Sequence, residues 1–226
     1  MSRARPETRI SLPENSTTRW YATHIRRYGY GYRALGFGRR SSQEKRFGAL
    51  LGLGSFHGRS LLDAGCGFGD LLEWLQGRGV RPQYTGFDLC APMIERCRKR
   101  FAAQGSSARF LVADALGFEP EAGPYDYVVA SGIFGLAARG TRARIRPTLE
   151  RLFALCRRGL AVNFLSARAP RRSAARVYVD PAEMLELGLG LTPAARLDHS
   201  YLPNDFTLLL YRTPPWTLEN ASEEAS

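Results

Sequence analysis

The chain has 226 residues, of which 44% are hydrophobic and 23% charged, and these values exclude a disordered chain. This length suits one sizeable core with an extension and disfavours several domains. The N-terminus is basic and polar, and no apolar run approaches the roughly 20 residues that span a bilayer. We therefore expect neither a signal peptide nor a membrane partner, and we expect a cytoplasmic location.

The charge balance is strongly basic. A formal net charge of +11 arises from 32 basic and 21 acidic residues, and every basic residue except Lys45 and Lys99 is arginine. Such an excess is typical of proteins that bind nucleic acids or acidic ligands, but codon bias with arginines spread over a solvated surface gives the same composition. Charge alone therefore does not decide the function.

Cysteine and histidine residues are scattered along the chain. The four cysteines form no C-x-x-C pair and the three histidines are far apart, so no metal site is expected. The cysteines are interpreted as reduced, buried and structural.

The N-terminal region predicts two helices. Aromatic and basic residues recur at helical spacing from about Asn15 to Tyr28, and the glycines from Gly29 onward break that pattern. A second helix is predicted to begin at Ser41, because Ser41 and Glu44 fit a capping box. Residues 1–58 are therefore expected to form a helical cap, or lid, on the main domain.

From Arg59 the sequence shows short apolar runs that alternate with amphipathic segments, which predicts an α/β fold with a parallel sheet flanked by helices. The main domain is expected to span residues 59–213, followed by a flexible tail over residues 214–226. Strands are predicted at Ser60–Asp63, Gln83–Asp88, Arg109–Val112, Tyr125–Ser131, Leu160–Leu165, Ala195–Tyr201 and Phe206–Arg212. Helices are predicted at Asp70–Gln76, Pro92–Ala103 and Arg139–Arg157, the last with a kink at Pro147, and after Asp180.

The strongest local signal is the Gly-rich turn from Asp63 to Asp70, which contains Gly65, Gly67 and Gly69. These glycines let a ligand approach the backbone at a helix N-terminus. The nicotinamide fingerprint G-x-G-x-x-G would need its third glycine at position 70, where this chain has aspartate. Because a carboxylate there would repel a diphosphate but suit an ammonium group, the turn disfavours a dinucleotide.

Two further carboxylates follow the next predicted strands. Asp88 ends the second strand, nineteen residues after Gly69 (88 minus 69), at the distance where a doubly wound fold places an acid against a ribose diol. Asp114 follows the third strand, where it can accept a hydrogen bond from the amine of adenine or, alternatively, cap a short helix.

Together, Asp63-x-Gly65-x-Gly67-x-Gly69, Asp88 and Asp114 resemble the class I S-adenosylmethionine-dependent methyltransferases. The resemblance covers about Ser60 to Arg212, and residues 162–166 and 201–207 resemble uncharacterised stand-alone bacterial members. It implies S-adenosylmethionine as the cofactor and a Rossmann-like, doubly wound, seven-stranded sheet with the last strand antiparallel.

The resemblance also implies roles for individual residues. Gly65 and Gly67 would hold the methionine end of the cofactor, Asp88 the ribose hydroxyls and Asp114 the adenine amine, while Tyr125 to Gly132 resembles the fourth-strand motif that faces cofactor and acceptor. The residues expected at the cofactor are Asp63, Gly65, Cys66, Gly67, Gly69, Asp88, Leu89, Asp114, Ala115 and Ser131.

The methyl acceptor is predicted by elimination. Enzymes that methylate exocyclic amines of nucleic-acid bases resemble one another in an Asp/Asn/Ser-Pro-Pro-aromatic motif, but here Ser131 is followed by Gly132, Ile133 and Phe134. A cysteine in the context typical of pyrimidine C5 methylation and the paired glutamates of protein arginine methyltransferases are also missing. N- or O-methylation of a small molecule is therefore the favoured hypothesis.

The acceptor pocket is predicted to combine the N-terminal cap with the ends of later strands. Its expected residues are Trp20, Tyr30, Tyr32, Arg33, Phe134 and Tyr201. Packing of a helix on the sheet is the alternative interpretation of these aromatic side chains. His199 is the one candidate for a general base, and a structural histidine is the alternative.

Two other functions stay open. An RNA methyltransferase could hold phosphates with two arginine clusters, although neither contains interleaved stacking aromatics. The clusters are Arg142, Arg144 and Arg146, and Arg168, Arg171, Arg172 and Arg176. A non-catalytic module that binds S-adenosylmethionine or a protein partner would need only the cofactor half of the site. The oligomeric state is not predicted.

Overall fold

The computed structural model describes residues 16–214. The strands in this range are β1 (Ser60–Ala64), β2 (Gln83–Asp88), β3 (Ala108–Val112), β4 (Tyr125–Ser131), β5 (Cys156–Leu165), β6 (Ala195–Leu202) and β7 (Asp205–Tyr211). The α-helices are α1 (Ser16–Tyr28), α2 (Arg40–Leu50), α3 (Asp70–Gln76), α4 (Ala91–Arg100), α5 (Thr141–Ala154) and α6 (Pro181–Leu189). The tail predicted at 214–226 lies outside the described residues, except for Pro214.

The strands form one seven-stranded sheet in the order β3-β2-β1-β4-β5-β7-β6. Strands β1 to β5 pair in parallel, and β7 lies antiparallel to both β5 and β6. The predicted fold class is therefore confirmed. Because the strand order reverses between β1 and β4, a crevice opens at their carboxyl ends, where doubly wound sheets bind ligands.

Both faces of the sheet are buried. Successive side chains of a strand point to opposite faces, so Leu62 packs in one core cluster with α5 and α6, whereas Leu61 packs in the other with α2, α3 and α4. Phe47 and Leu50 of α2 belong to the second cluster. Helix α2 is therefore part of the sheet core, although it lies within the predicted N-terminal cap.

The rest of the described cap is attached differently. Helix α1 contains no buried residue, and Tyr21, Ile25 and Leu35 pack in a separate small cluster with Phe68 of the Gly-rich turn. Ala34, Cys90 and Met93 complete this cluster. The N-terminal segment therefore contacts the main domain beside the predicted cofactor site.

The capping box predicted at Ser41 was wrong. Helix α2 begins at Arg40, and its N-cap residue Arg39 makes no side-chain hydrogen bond to the helix. The Glu44 carboxylate instead pairs with Arg40 Nε at 3.2 Å, one helical turn away, so it does not reach back to the backbone. Helix α5 runs through Pro147 and ends at Ala154, earlier than predicted, because β5 begins at Cys156.

None of the helices in residues 16–214 is long and apolar enough to cross a membrane.

Candidate cofactor and acceptor site

A cavity of about 790 Å³ lies at the carboxyl ends of β1 to β5. Residues that end these strands form its floor, including Asp63, Asp88, Ser131 and Asn163. Side chains of the N-terminal segment, among them Tyr21, Leu35 and Phe37, line it from the other side. The cavity therefore joins the predicted cofactor turn to the predicted cap.

The Gly-rich turn requires its glycines. Gly65, Gly67 and Gly69 have φ angles of 74°, 55° and 74°, which L side chains rarely adopt. A Cβ atom on Gly65 would also overlap the side chain of Ile133. The N–H groups of Gly65 and Cys66 donate to the Phe87 carbonyl oxygen at 2.8 and 3.0 Å, so the turn is fixed to the end of β2.

Asp63 lies at the start of this turn and lines the cavity. It is buried, and the Tyr84 hydroxyl donates to its Oδ2 atom at 2.5 Å. Burial raises the pKa of Asp63 to about 7. Asp70, which the sequence suggested for an ammonium group, already accepts from Arg100 Nη1 at 2.8 Å and Gln43 Nε2 at 3.1 Å.

Asp88 ends β2 and faces the turn. Its carboxylate oxygens accept from the N–H groups of Gly67 and Cys90, at 3.0 and 2.9 Å. Burial raises the pKa of Asp88. Each oxygen still has a lone pair, so the carboxylate can accept hydrogen bonds from a diol.

Asp114 has two partners of its own. Arg144 Nη2 lies 2.6 Å from each carboxylate oxygen, and the Leu116 N–H donates to Oδ1 at 2.8 Å. Residues 115–117 form a turn and not a helix, so the predicted alternative of a helix cap is not observed, and Asp114 lines the cavity. An amine that binds here must share the carboxylate with Arg144.

The far half of the cavity, here called the acceptor half, is lined by aromatic rings. It also contains two buried polar atoms that have no hydrogen-bond partner among residues 16–214. Phe37, Phe134 and Phe164 line it, together with Ser131 and Asn163, which are register neighbours on β4 and β5. Ser131 Oγ and Asn163 Oδ1 are buried and have no hydrogen-bond partner in residues 16–214. Because buried polar atoms are almost always paired in a complete protein, these two indicate a ligand or water that bonds there.

A buried ion pair between Arg46 and Asp205 also lines the acceptor half of the cavity. Arg46 Nε and Nη2 each lie 2.6 Å from the carboxylate of Asp205, and their residues are 7% and 2% exposed. The Phe37 ring lies 4.8 Å from the guanidinium carbon, and Asn204 Nδ2 donates to Asp205 at 2.7 Å. The pair joins α2 to the start of β7, and it was missed from the sequence because 159 positions separate its residues.

The structure brings most predicted cofactor residues together. Nine of the ten line the cavity, and so does Phe134 from the predicted acceptor set. The nine are Asp63, Gly65, Cys66, Gly67, Asp88, Leu89, Asp114, Ala115 and Ser131. Gly69 lies below them as the N-cap of α3, where a Cβ atom would meet the Phe101 ring.

The other predicted acceptor residues do not line the cavity. Trp20 stacks on His24 with ring centroids 3.5 Å apart, and the exposed Tyr30 packs edge-on against Phe68. The Arg33 guanidinium carbon lies 5.9 Å from the centroid of the Tyr32 ring. Tyr21, one position from Trp20 and hence about 100° around α1, faces the cavity instead.

The two predicted residues of β6 lie behind the cavity wall. The Tyr201 hydroxyl accepts from Thr207 Oγ1 at 2.9 Å, and Thr207 in turn accepts from Asn163 Nδ2 at 2.7 Å. His199 packs edge-on against Phe206, and its Nε2 atom is buried without a partner among the described residues. Its position gives no support to the general-base hypothesis, since no histidine within residues 16–214 lines the cavity.

Strand order, the Gly-rich turn and the carboxylates that follow β1, β2 and β3 define a class of protein, the Rossmann-like class I methyltransferases. A methyltransferase domain family model matches residues 61–163. Rv1506c of Mycobacterium tuberculosis, which is named as a candidate methyltransferase, is 33% identical over 158 residues, covering 67% of this chain and 92% of that protein. This chain belongs to the class I S-adenosylmethionine-dependent methyltransferases.

Solved structures share the fold. The magnesium protoporphyrin IX methyltransferase of Synechocystis PCC 6803, crystallised with S-adenosylmethionine, has a TM-score of 0.62 at 20% identity, covering 88% of this chain and 93% of its own. The small RNA methyltransferase HEN1 has a TM-score of 0.61 at 14% identity, covering 77% of this chain and 26% of its own. Because their acceptors differ, the fold does not identify the acceptor of this chain.

The raised pKa of Asp63 predicts how stability depends on pH. An unfolded aspartate has a pKa of about 3.9, so between pH 4 and 7 the folded state holds the additional proton and stability falls as pH rises. Asp63→Asn should therefore raise the Tm of the cofactor-free protein at pH 8, by roughly 5 °C, and change it little at pH 4.

Thermal unfolding at both pH values checks this, with Asp126→Asn as the control. Hydrogen bonds from Ser60 lower the pKa of Asp126, so that variant should lose stability at pH 8. An Asp63→Asn variant that is equally or less stable than the parent at pH 8 would contradict the account.

Proposed function

We propose that this chain transfers a methyl group from S-adenosylmethionine to a hydroxyl or amino group of a small molecule. The observation that carries the proposal is the far half of the cavity, where Ser131 Oγ and Asn163 Oδ1 lie unpartnered among phenylalanine rings. An apolar pocket with a few convergent polar atoms is typical of small-molecule sites. This chamber continues directly into the half that contains the Gly-rich turn.

In the cofactor half, the chain's own groups match the parts of S-adenosylmethionine. Asp88 would accept hydrogen bonds from the ribose hydroxyls, Asp114 from the adenine amine, and Asp63 from the ammonium group. Gly65 and Gly67 would allow the ligand to approach the backbone. When bound, the cofactor supplies a sulfonium whose methyl group would pass to a correctly aligned nucleophile, with S-adenosylhomocysteine as the leaving group and the acceptor's proton released to solvent.

In the acceptor half, the chain would mainly position the nucleophile. Asn163 Oδ1 would accept a hydrogen bond from the acceptor O–H or N–H and so direct a lone pair toward the cofactor half. Thr207 and Tyr201 fix the Asn163 amide from behind. Tyr21, Leu35 and Phe37 would exclude water from the opposite side.

Charge pairing supports a small molecule over RNA. Three of the seven arginines in the two predicted RNA-binding clusters are bound to carboxylates: Arg144 to Asp114, Arg146 to Glu150 and Arg168 to Asp180. Those ion pairs compete with phosphate contacts. The acceptor chamber itself supports an enzyme over a module that only binds S-adenosylmethionine, because simple binding needs no second chamber.

The experiment is methyl transfer from radiolabelled S-adenosylmethionine to a metabolite extract and, in parallel, to total RNA. Label is expected in the small-molecule fraction, and Asn163→Leu should lower turnover by about 10- to 100-fold with little change in S-adenosylhomocysteine affinity. Asn204→Ala is the control, because it removes another polar side chain that lines the cavity beside Asp205. It should lower turnover less than Asn163→Leu does. Label confined to RNA would overturn the proposal.

A further inference from the structure

We infer that the methyl acceptor carries a phosphate or diphosphate group, which binds in a second, arginine-rich cleft beside the cavity. This inference rests on the proposed function, because it concerns the substrate of the same site. The cleft, here called the arginine cleft, has a volume of about 790 Å³. Its basic residues are Arg139, Arg142, Arg172 and Arg176, and its lining, all within residues 16–214, includes no aspartate or glutamate.

Local backbone pairing brings these arginines together from two separate segments. Residues 135–137, which follow β4, pair antiparallel with residues 175–177, which follow β5, through an isolated bridge between Leu136 and Arg176. The Ala137 N–H donates to the Ala175 carbonyl at 3.1 Å, and a guanidinium N–H of Arg142 donates to the Tyr178 carbonyl. The cleft is therefore a defined concavity between two linked loops.

The guanidinium charges in the cleft are not balanced by carboxylates. Arg142 and Arg176 donate to the neutral carbonyl oxygens of Tyr178 and Gly36, and Arg139 and Arg172 have no ion-pair partner among the described residues. Further along α5, Arg144 and Arg146 each have a carboxylate. Four guanidinium groups without a carboxylate partner among the described residues therefore line one cleft.

The N-terminus of α5 adds a second attraction for an anion. Gly140 to Ala143 line the cleft, so the first backbone N–H groups of this 14-residue helix lie at its wall. The helix dipole and these N–H groups favour negative charge. One carboxylate would leave most of four guanidinium groups unbalanced, whereas a phosphate or diphosphate presents several oxygens for bidentate pairing.

The arginine cleft is continuous with the acceptor side of the cavity. Arg139, Thr141, Ser173, Arg176 and Tyr178 line both spaces. Arg176 also lies 5.3 Å from the Trp20 ring of α1, which connects the cleft with the N-terminal segment. A ligand can therefore hold its phosphate in the cleft while its reactive group extends toward Asn163.

The test is titration calorimetry of inorganic pyrophosphate into protein saturated with S-adenosylhomocysteine. Saturable binding is expected, and Arg139→Gln/Arg172→Gln should weaken it at least tenfold. Arg78→Gln/Arg146→Gln removes the same charge at exposed sites outside the cleft and should leave the affinity within about twofold. Equal weakening by both double variants, or no pyrophosphate binding, would overturn the inference.

A parallel titration with a ten-nucleotide single-stranded RNA distinguishes the source of the phosphate. RNA that binds more tightly than pyrophosphate and loses affinity in Arg139→Gln/Arg172→Gln would overturn a small-molecule acceptor. S-adenosylhomocysteine affinity is measured for every variant. A protein that does not bind S-adenosylhomocysteine contradicts the proposed function, whereas pyrophosphate titration of the same unliganded protein still decides whether the cleft binds phosphate.

Discussion

Deletion of residues 1–39 is expected to abolish methyl transfer while leaving a folded domain that still binds S-adenosylhomocysteine. The deleted part supplies Tyr21, Leu35 and Phe37 to the cavity, but α1 buries no residue in the sheet core and α2 begins at Arg40. Turnover should fall at least 100-fold, because an open chamber neither orients the acceptor nor excludes water. Affinity for S-adenosylhomocysteine should fall by about tenfold or less, since Asp63 and Asp88 remain.

Turnover, calorimetry and circular dichroism on the same preparation check this prediction of a lid. Full-length Phe37→Ala tests the same surface without truncation and should also lose turnover, whereas Tyr28→Ala, an exposed residue of α1, is the matched control and should not. A truncated protein that keeps full turnover, or one that unfolds, would show that residues 1–39 do not act as a lid.

Arg46→Gln is expected to destabilise the protein by about 3 to 5 kcal/mol, because it leaves the Asp205 carboxylate buried without its cation. Arg40→Gln is the matched control. Arg40 makes an exposed pair with Glu44 in the same helix, and its loss should cost less than about 1 kcal/mol. Urea unfolding of both variants at pH 7 measures the difference.

A double variant, Arg46→Met/Asp205→Leu, distinguishes the effect of an unpaired buried charge on stability from the effect of these two side chains on turnover. Replacing both partners removes the unpaired charge, so much of the lost stability should return, while turnover stays low because both residues line the acceptor half. If Arg46→Gln lowers the free energy of unfolding no more than Arg40→Gln does, the Arg46–Asp205 pair is not a buried ion pair on which stability depends.

Much of the fold and the cofactor half follows from local sequence signals. Each strand of the parallel sheet is a short apolar run, and the Gly-rich turn and Asp88 stand at strand ends, where chain order alone places them at one edge. The doubly wound, seven-stranded sheet and its antiparallel last strand were implied by the family resemblance. The structure confirms both.

The acceptor half could not be predicted in the same way because its contacts join distant parts of the chain. Helical periodicity marks α1 as amphipathic but does not specify that Tyr21, rather than Trp20, faces the cavity. The pairing of Arg46 with Asp205 and the position of Asn163 beside Ser131 depend on the tertiary packing of α2, β4, β5 and β7. Likewise, two separate runs of arginine give no sign that their loops pair and form one cleft.

Titration calorimetry with S-adenosylhomocysteine and with NAD tests the central claim most directly. We predict saturable binding of S-adenosylhomocysteine and no binding of NAD. Asp88→Ala should lose about 1 to 3 kcal/mol of S-adenosylhomocysteine binding free energy, because the ribose hydroxyls lose their acceptor. Tight binding of NAD, or an unchanged S-adenosylhomocysteine affinity in folded Asp88→Ala, would contradict that claim.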